Sequence, residues 1–545
     1  MTRRKLLAIA GGAVVSSPAE CSADAKLCCS SGWSWLPQAP PCIAAPNRTC
    51  QPGIGAKFPI AQMPPVGQKF IDFAMPNASA FLPRPLWSEL KLKKNHRRLH
   101  KVEGDLERAY DKLLCMEDDD RRSLLYQTCL HAFYCTGLWT GGNCDDMRTA
   151  SPFDIHMTWH FFPLHRALLY FHEQILARAS RNPNFRLPVW DWETDVELPQ
   201  FYIDKGLPNF LTGSYSRVAF DPASAKMLIG NALQGWLLSS NFENFCGNAT
   251  PNMYLRCNAG PHDAVHTGVV QGAMSLFYTS AADPVFYAHH ANIDRFWGYW
   301  LRYYKDYKRP DQWLNQCYYL YDQHERLVRM HTYQLLSERR LGYCYSADPA
   351  VPLYNFASHR LTPEEVADPE LLIRFLELVT VGTLRADPQY TDQGLLQFVQ
   401  MIHSGSTDPR LPSFPVRIAA RVQSHKVLTG TYFPAFLGRS GAFPSDSLGG
   451  FSIMPHGAGR YYPTRSETLD ALILGSIDAT FLAFLRTQKG PLDLRYRLSS
   501  SSGTPVEQEI PLLGPSGPDF EILYPQGAEL LAKEWLARQS ISLPF

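Results

Sequence analysis

The sequence predicts a protein of two unlike parts: a mainly α-helical part followed by a β-rich, sandwich-like C-terminal domain. The chain has 545 residues, more than one hydrophobic core usually organises. Apolar residues recur at helical spacing between Leu124 and Phe133. After about residue 411 the segments become short, alternating and separated by turns, as in 492–498, which indicates strands.

The elements follow each other in a clear order. We expect helices in much of 87–179, including 161–177, and again over 262–270 and 283–304, with a loop rich in Pro and Gly at 187–220. Strands are expected at 317–321 and 327–330, and a connector with one helix (369–379) at 349–408. The predicted units are 1–20 (export signal), 21–70 (Cys-rich arm), 71–345 (helical domain), 346–410 (linker) and 411–545 (β-rich domain).

The N-terminus has the pattern of an export signal. Arg3 and Arg4 precede an apolar run and then small residues, which is typical of a twin-arginine signal. Five cysteines crowd the first fifty residues, where little can be buried, so disulfides are the expected staples. Both features predict export to a disulfide-permissive compartment.

The charge and hydropathy of the chain argue against nucleic-acid binding and against a membrane-spanning segment. The net charge of +1 gives no electrostatic basis for binding nucleic acid. No internal apolar run reaches the ~18–20 residues that a membrane span requires, so we expect no integral membrane segment. The oligomeric state is left open.

Six of the 17 histidines form two clusters in apolar segments with helical patterns. His262 and His266 are four residues apart and would project from one face of a helix, where two imidazoles can share a metal ion. His290, from a facing helix, could complete a site of three nitrogens.

The first cluster has a different spacing. His156 and His165 are nine residues apart and would face opposite ways on one helix, so His156 is expected on a loop before the helix that carries His165. His131 would come from the preceding helix. Two such sites in a four-helix bundle predict a dinuclear centre. Neither cluster has an obvious carboxylate ligand, which favours two coppers over two irons. The alternatives to a dicopper centre are histidines that bind no metal and serve only the fold, or the zinc site of a hydrolase.

These segments resemble the plant polyphenol oxidases, the family of catechol oxidases and tyrosinases. The similar motifs are HAFYC at 131–135, HMTWHFFPLHR at 156–166, LPVWDW at 187–192, PHDAVH at 261–266, DPVFYAHHANIDRFW at 283–297, DQWL at 311–314, LGY at 341–343 and GFSIMPH at 450–456. The last of these resembles part of the family's C-terminal shielding domain.

The resemblance implies a role for each matching residue. The implied copper ligands are His131, His156 and His165 for copper A, and His262, His266 and His290 for copper B. Cys135 falls where the family has a thioether bond to the second copper-A histidine, here His156, with a buried thiol or a disulfide as the alternative. Phe286 falls where the family has a gate residue over copper, with ordinary helix packing as the alternative.

The chain departs from the family at several positions. Where many members have a Glu four residues before the first copper-B histidine, this chain has Asn258, and an amide is a poor base for monophenol hydroxylation. Asp263 could supply a carboxylate instead, or could be a helix-surface acid. His160 replaces an apolar residue. Ala132 replaces a cysteine that some relatives use in a disulfide, and Cys129 is near enough to substitute.

The resemblance implies copper-dependent oxidation of catechol-type phenols to o-quinones, with O2 as co-substrate. The separate β-rich domain after a proline-containing linker predicts in addition a latent enzyme, in which this domain covers the copper centre. For an enzyme that resembles the plant family, the twin-arginine signal predicts the thylakoid lumen, with secretion as the alternative. An O2-binding protein of the haemocyanin type, which has a similar centre without turnover, is the alternative function.

Overall fold

The computed structural model describes most of the chain after residue 67. The described residues are 68–76, 81–117, 119–135, 155–204, 229, 242–249, 260–270, 272–275, 277, 280–304, 309–349, 356–408, 410–423, 431–438, 448–453, 468–498, 506–510, 512 and 518–539. The predicted export signal and Cys-rich arm therefore lie outside the described residues, apart from the last three residues of the arm.

The first part of the chain is helical, as the sequence predicts. Its helices are α1 (Trp87–Leu90), α2 (His96–Leu114), α3 (Leu124–Cys135), α4 (Phe161–Ala179), α5 (Gln200–Asp204), α6 (Phe242–Cys246), α7 (Pro261–Ala264), α8 (Val285–Tyr303) and α9 (Asp311–Leu314). The central helix α4 packs against α2 on one side and α8 on another. Both α4 and α8 are buried around almost their whole circumference, which marks them as interior helices.

Shorter turns complete this part. There are 3-10 turns at Lys93–Asn95, Ile155–Met157, Gly272–Ser275, Ser280–Ala282 and Thr332–Leu335, and a π-helix at Val265–Val270. The π-helix directly follows α7, so the predicted helix at 262–270 exists but changes its winding at residue 265. π-turns of this kind often occur at functional sites.

Two small sheets lie at the edge of the helical part. In one, β3 (Cys317–Tyr321) pairs with β4 (Leu327–His331), and β4 also pairs in parallel with β1 (Ile71–Asp72). In the other, β2 (Leu82–Arg84) runs parallel to β5 (Tyr343–Tyr345). The two strands predicted near residue 320 are thus confirmed. These sheets join the start of the described chain to the end of the helical part.

The β-rich C-terminal domain is also confirmed. Its strands are β6 (Phe356–Leu361), β7 (Phe414–Gln423), β8 (Thr431–Gly438), β9 (Gly449–Ile453), β10 (Thr468–Ile477), β11 (Asp493–Leu498), β12 (Val506–Ile510) and β13 (Asp519–Pro525). They form one antiparallel sheet in the order β12-β11-β8-β9-β10-β7-β13-β6. In β7, Val416, Ile418, Ala420 and Val422 are buried, the period of two of a strand with one covered face.

Helices pack with this sheet. They are α10 (Pro363–Ala367), α11 (Pro369–Ala386), α12 (Asp392–His403), α13 (Ala479–Leu485) and α14 (Ala528–Arg538). Helices α11 and α14 approach so closely that a Cβ atom added at Gly382 would lie 1.7 Å from the carbonyl oxygen of Ala528. Only glycine fits at that crossing.

The segment predicted as a linker is largely structured. The one helix expected at 369–379 extends to Ala386, because Asp368 caps its start and buried apolar residues continue to Leu384. Residues 356–361 form β6, which pairs with β13. One hydrophobic cluster runs from Leu86 to Tyr343 and the other from Leu361 to Leu536.

The two parts meet beside the copper-B motif. Strands β8 and β9 contact the π-helix, and β9 also contacts α7. The C-terminal sheet therefore lies against the turns that carry His262 and His266. Among the described helices, none is both long enough and apolar enough to cross a bilayer.

Candidate metal centre

The first histidine group comes from α3 and from the turn before α4. His131 is on α3, and the side chains of His131, Cys135 and His156 place one potential ligand atom each within 4.8 Å of the others. His156 lies in the 3-10 turn at Ile155–Met157, as the nine-residue spacing predicts. Cys135 Sγ is 3.7 Å from the ring nitrogens of His131.

His165 joins this group from the first turns of α4. Its ring centroid is 5.5 Å from that of His131 and 5.2 Å from that of His156. His165 Nδ1 donates to the carbonyl of Phe161 at 2.6 Å, while its buried Nε2 has no hydrogen-bond partner. A histidine held through one nitrogen with the other buried and unsatisfied is suited to bind a metal ion.

The second group comes from α7, the π-helix and α8. His262, His266, His289 and His290 form a buried set that could hold a metal ion. His266 Nδ1 donates to the carbonyl of Met274 at 2.6 Å, and its Nε2 lies 3.2 Å from Nε2 of His290. Acceptors of this kind orient imidazole rings and fix their tautomers.

Asp263 also orients a ring. Its Oδ1 lies 2.7 Å from Nδ1 of His262, and burial raises the pKa of this carboxyl well above its ordinary value. The carboxyl group therefore faces His262 rather than open solvent. Asn258, the other residue discussed in this region, lies outside the described residues.

His289 is the fourth histidine of the second group, and its contacts distinguish it from His290. Trp192 Nε1–H donates to His289 Nδ1 at 3.1 Å. A neutral His289 therefore carries its proton on Nε2 and has no lone pair there for a metal. This favours His290 as the ligand.

The two groups face each other across a small space. The rings of His165 and His290 stack with centroids 4.3 Å apart, and those of His156 and His262 are 6.1 Å apart. The six histidines implied as ligands are each at most 2% exposed. The fold thus brings together residues that are up to 159 positions apart in sequence (His131 to His290).

Burial keeps five of these six imidazoles neutral. It lowers the pKa of His165 to about 3 and holds the pKa values of His131, His156, His266 and His290 well below the ordinary value, with neighbouring histidines lowering them further. Neutral imidazole is the form that binds metal ions. Clustered neutral nitrogens without a carboxylate ligand suit copper, so the two groups fit a pair of copper ions.

Aromatic side chains enclose the space between the groups. The ring of Phe286 lies 4.9 Å from that of His131 and 4.1 Å from that of His290. Phe161 lies 4.7 Å from His165 and 4.8 Å from His262, so each of these two rings contacts both groups. Phe277 stands 3.9 Å from the ring of His156.

Phe161 and Phe277 were not identified from the sequence. Phe161 had a usable signal, because it precedes His165 by four residues on a helix as Phe286 precedes His290, so both pairs share the pattern F-x-x-x-H. The sequence carries no signal for Phe277 or for the Met274 carbonyl, because only the folded loop brings them to the histidines.

His160 has a structural role. Trp159 Nε1–H donates to its Nε2 at 3.2 Å, and its Nδ1 lies 3.0 Å from the hydroxyl of Tyr318. With a hydrogen bond at each ring nitrogen, His160 is a satisfied core residue. This explains how the helical core tolerates a histidine at a position where the resemblance leads one to expect an apolar residue.

A buried charge network ties the two ligand-bearing helices together. Arg166, next to His165 on α4, pairs with Asp294, four residues after His290 on α8. Arg84 pairs with Glu173 at 2.8 Å and with Asp294 at 3.5 Å. Tyr343 and Tyr345 donate their hydroxyls to the same Asp294 carboxylate.

Comparison with known proteins agrees with this geometry. Residues 122–238 and 217–303 match the common central domain of tyrosinase, and residues 306–356 match the polyphenol oxidase middle domain. The central part of this chain is therefore similar in sequence to the tyrosinase and polyphenol oxidase family. The match includes all six histidines of the two groups.

Plant polyphenol oxidases are among the similar proteins. The chain is 29% identical over 332 residues to the latent form of polyphenol oxidase, chloroplastic, from Prunus armeniaca, which covers 52% of this chain and 54% of that protein. It is 27% identical over 404 residues to aureusidin synthase from Antirrhinum majus, covering 65% and 67%. The chain thus spans about half the length of most of these relatives.

Solved structures share the fold. A recombinant latent aurone synthase (polyphenol oxidase) matches with a TM-score of 0.51 at 20% identity, covering 85% of this chain and 93% of that one. The names of the relatives differ in reaction, from catechol oxidase B of Solanum tuberosum to (+)-larreatricin hydroxylase of Larrea tridentata. The similarity to these proteins therefore does not single out one reaction.

Proposed function

We propose that this chain oxidises o-diphenols to o-quinones with O2, at a copper pair held by His131, His156 and His165 and by His262, His266 and His290. The convergence of these six buried imidazoles supports the proposal above all. In the overall reaction each diphenol loses two electrons and two protons, and two diphenols reduce one O2 to two waters. The bound copper pair would supply the electron transfer to O2.

The protein's own side chains would hold the site ready. The carbonyls of Phe161 and Met274 and the carboxylate of Asp263 fix three of the rings through Nδ1, which directs their Nε2 atoms inward. Phe286 and Phe161 would exclude water and offer apolar surfaces to a phenolic ring.

Two further roles belong to the same proposal. Cys135 would form a thioether bond with His156, which lies on a turn and would gain a covalent constraint. Mass spectrometry of the peptides that contain both residues tests this.

Asn258 would leave the site without a strong base, and the carboxyl group of Asp263 is hydrogen-bonded to His262. We therefore expect faster turnover of catechols than of monophenols, and equal rates would contradict this assignment.

The enzyme would be latent. Strands β8 and β9 lie against the copper-B turns, where they would restrict the approach of a phenol. Because β6 pairs with β13, we place the domain boundary between Tyr345 and Phe356. A specific protease site inserted there, followed by removal of the C-terminal fragment, should raise catechol turnover. Unchanged specific activity of the separated catalytic fragment would rule out latency.

The compartment would be the thylakoid lumen. Several relatives are named as chloroplastic, and the start of the sequence resembles a twin-arginine signal. Cys115 and Cys317 are each disulfide-bonded, which agrees with an oxidising compartment. Import of the full chain into isolated chloroplasts, followed by fractionation, tests this; recovery in the stroma would contradict it.

A further inference from the structure

Two exposed histidines outside the buried centre lie unusually close together. His96 and His100 are one turn apart at the start of α2, with ring centroids 4.1 Å apart and nearly perpendicular. Their Nε2 atoms are 3.1 Å apart. The resemblance to polyphenol oxidases assigns them no role, and neither enters the charge network that joins α4 and α8.

The spacing of the two nitrogens suits a single metal ion. Imidazole nitrogens bind at ~2.0–2.1 Å, so two of them on one ion, at about 90–109°, lie roughly 2.9–3.3 Å apart. The observed 3.1 Å falls within this range. The two rings would therefore need little movement to bind, and His96, whose Nε2–H would donate to Nε2 of His100 in the metal-free pair, would bind after its proton moves to Nδ1.

Glu103 gives one ring its orientation. Its Oε2 lies 3.4 Å from Nδ1 of His100, so an Nδ1–H of this ring would face a carboxylate and its Nε2 would present a lone pair toward His96. A carboxylate behind a ligating imidazole is the usual second contact of metal-binding histidines.

The charged side chains beside the two histidines indicate which metal ions the pair would bind. Lys93, Lys94, Arg97 and Arg98 flank the pair, and their positive charge disfavours ions held mainly by electrostatic attraction, such as Mg²⁺ and Ca²⁺. Imidazole nitrogens bond strongly to Cu²⁺, Ni²⁺ and Zn²⁺, with Cu²⁺ the strongest. We propose that His96 and His100 form a surface site for one such ion, Cu²⁺ above the others, separate from the buried centre.

Electron paramagnetic resonance can distinguish this site from the buried one. Two Cu²⁺ ions coupled in a dinuclear centre give little signal, whereas a single Cu²⁺ on two imidazoles gives an axial signal with nitrogen splitting. We would titrate the copper-loaded protein with copper sulfate at neutral pH. The expected result is one further ion per chain with this signal. A His96→Gln/His100→Gln variant should bind it at least ~10-fold more weakly.

His324→Gln is the matched control, because it removes a single exposed histidine in the turn between β3 and β4. It should leave the titration unchanged, and circular dichroism should show that all variants are folded. If the signal is as strong in the double variant, or if the wild-type protein gives no nitrogen-split signal at one equivalent, the site does not exist. The result does not depend on catechol turnover, so it stands or falls separately from the proposed oxidation.

Discussion

Removing the charge of Asp294 should destabilise the helical domain severely. Its carboxylate is 2% exposed and accepts from Arg166, Tyr343 and Tyr345, with Arg84 at 3.5 Å. Asp294→Asn would leave Arg166 buried with no other carboxylate paired to it in the described contacts. Breaking a buried ion pair from one side costs about 3–5 kcal/mol, so we expect a loss of this size in the free energy of unfolding.

Asp195→Asn provides the control. Asp195 pairs with Lys91 at 2.6 Å, but both side chains are partly exposed, at 26% and 33%. Such surface pairs contribute about 0–1 kcal/mol. Urea unfolding of both variants, followed by tryptophan fluorescence, compares the two losses directly. If Asp294→Asn costs no more than Asp195→Asn, the network does not hold α4 and α8 together.

Three further predictions concern packing, pH and ligand choice. Gly382→Ala should lower the stability of the C-terminal domain by about 1–3 kcal/mol through overpacking, whereas Gly394→Ala, with its nearest contact at 3.4 Å, should be neutral or stabilising in thermal unfolding. Burial raises the pKa of Asp191 to about 6, so its protonated form favours folding below pH ~4 and this contribution is lost as pH rises through about 6. Because Asn does not titrate, the free energy of unfolding of Asp191→Asn should fall by up to about 3 kcal/mol less between pH 4 and 7 than that of the wild-type protein. Parallel curves of the two free energies against pH would contradict this prediction. Finally, His290→Gln should lower bound copper from two ions to about one per chain, while His289→Gln should retain two; the opposite result would reverse the ligand assignment.

The sequence predicts the elements that carry the histidines because their periodicity is local. The positions of His131 on a helix, His156 on the turn before the next helix and His165 on that helix follow from spacing and from the tolerance of Pro163 in a first turn. Likewise, the four-residue spacing of His262 and His266 places them on consecutive turns, although the π-helix changes the winding between them.

Other features could not be predicted because they arise from tertiary contacts. The tautomer of His289 depends on Trp192, which is 97 residues away in sequence. The disulfide bonds of Cys115 and Cys317 depend on the folded arrangement, and neither cysteine lies in the Cys-rich arm. The segment 346–410 is predicted to be mostly connector because prolines, among them Pro363 and Pro369, and charges are typical of a loop. Instead, those prolines begin helices α10 and α11, and the apolar residues between them pack in the second core.

We propose above that the six histidines hold two copper ions that react with oxygen. The most direct test is the metal content of the purified protein, together with its absorption spectrum before and after addition of hydrogen peroxide. We predict two coppers per chain and a strong near-ultraviolet band that appears with peroxide and disappears when catechol is added. Bound zinc, or the absence of metal together with the absence of a band, would contradict the assignment.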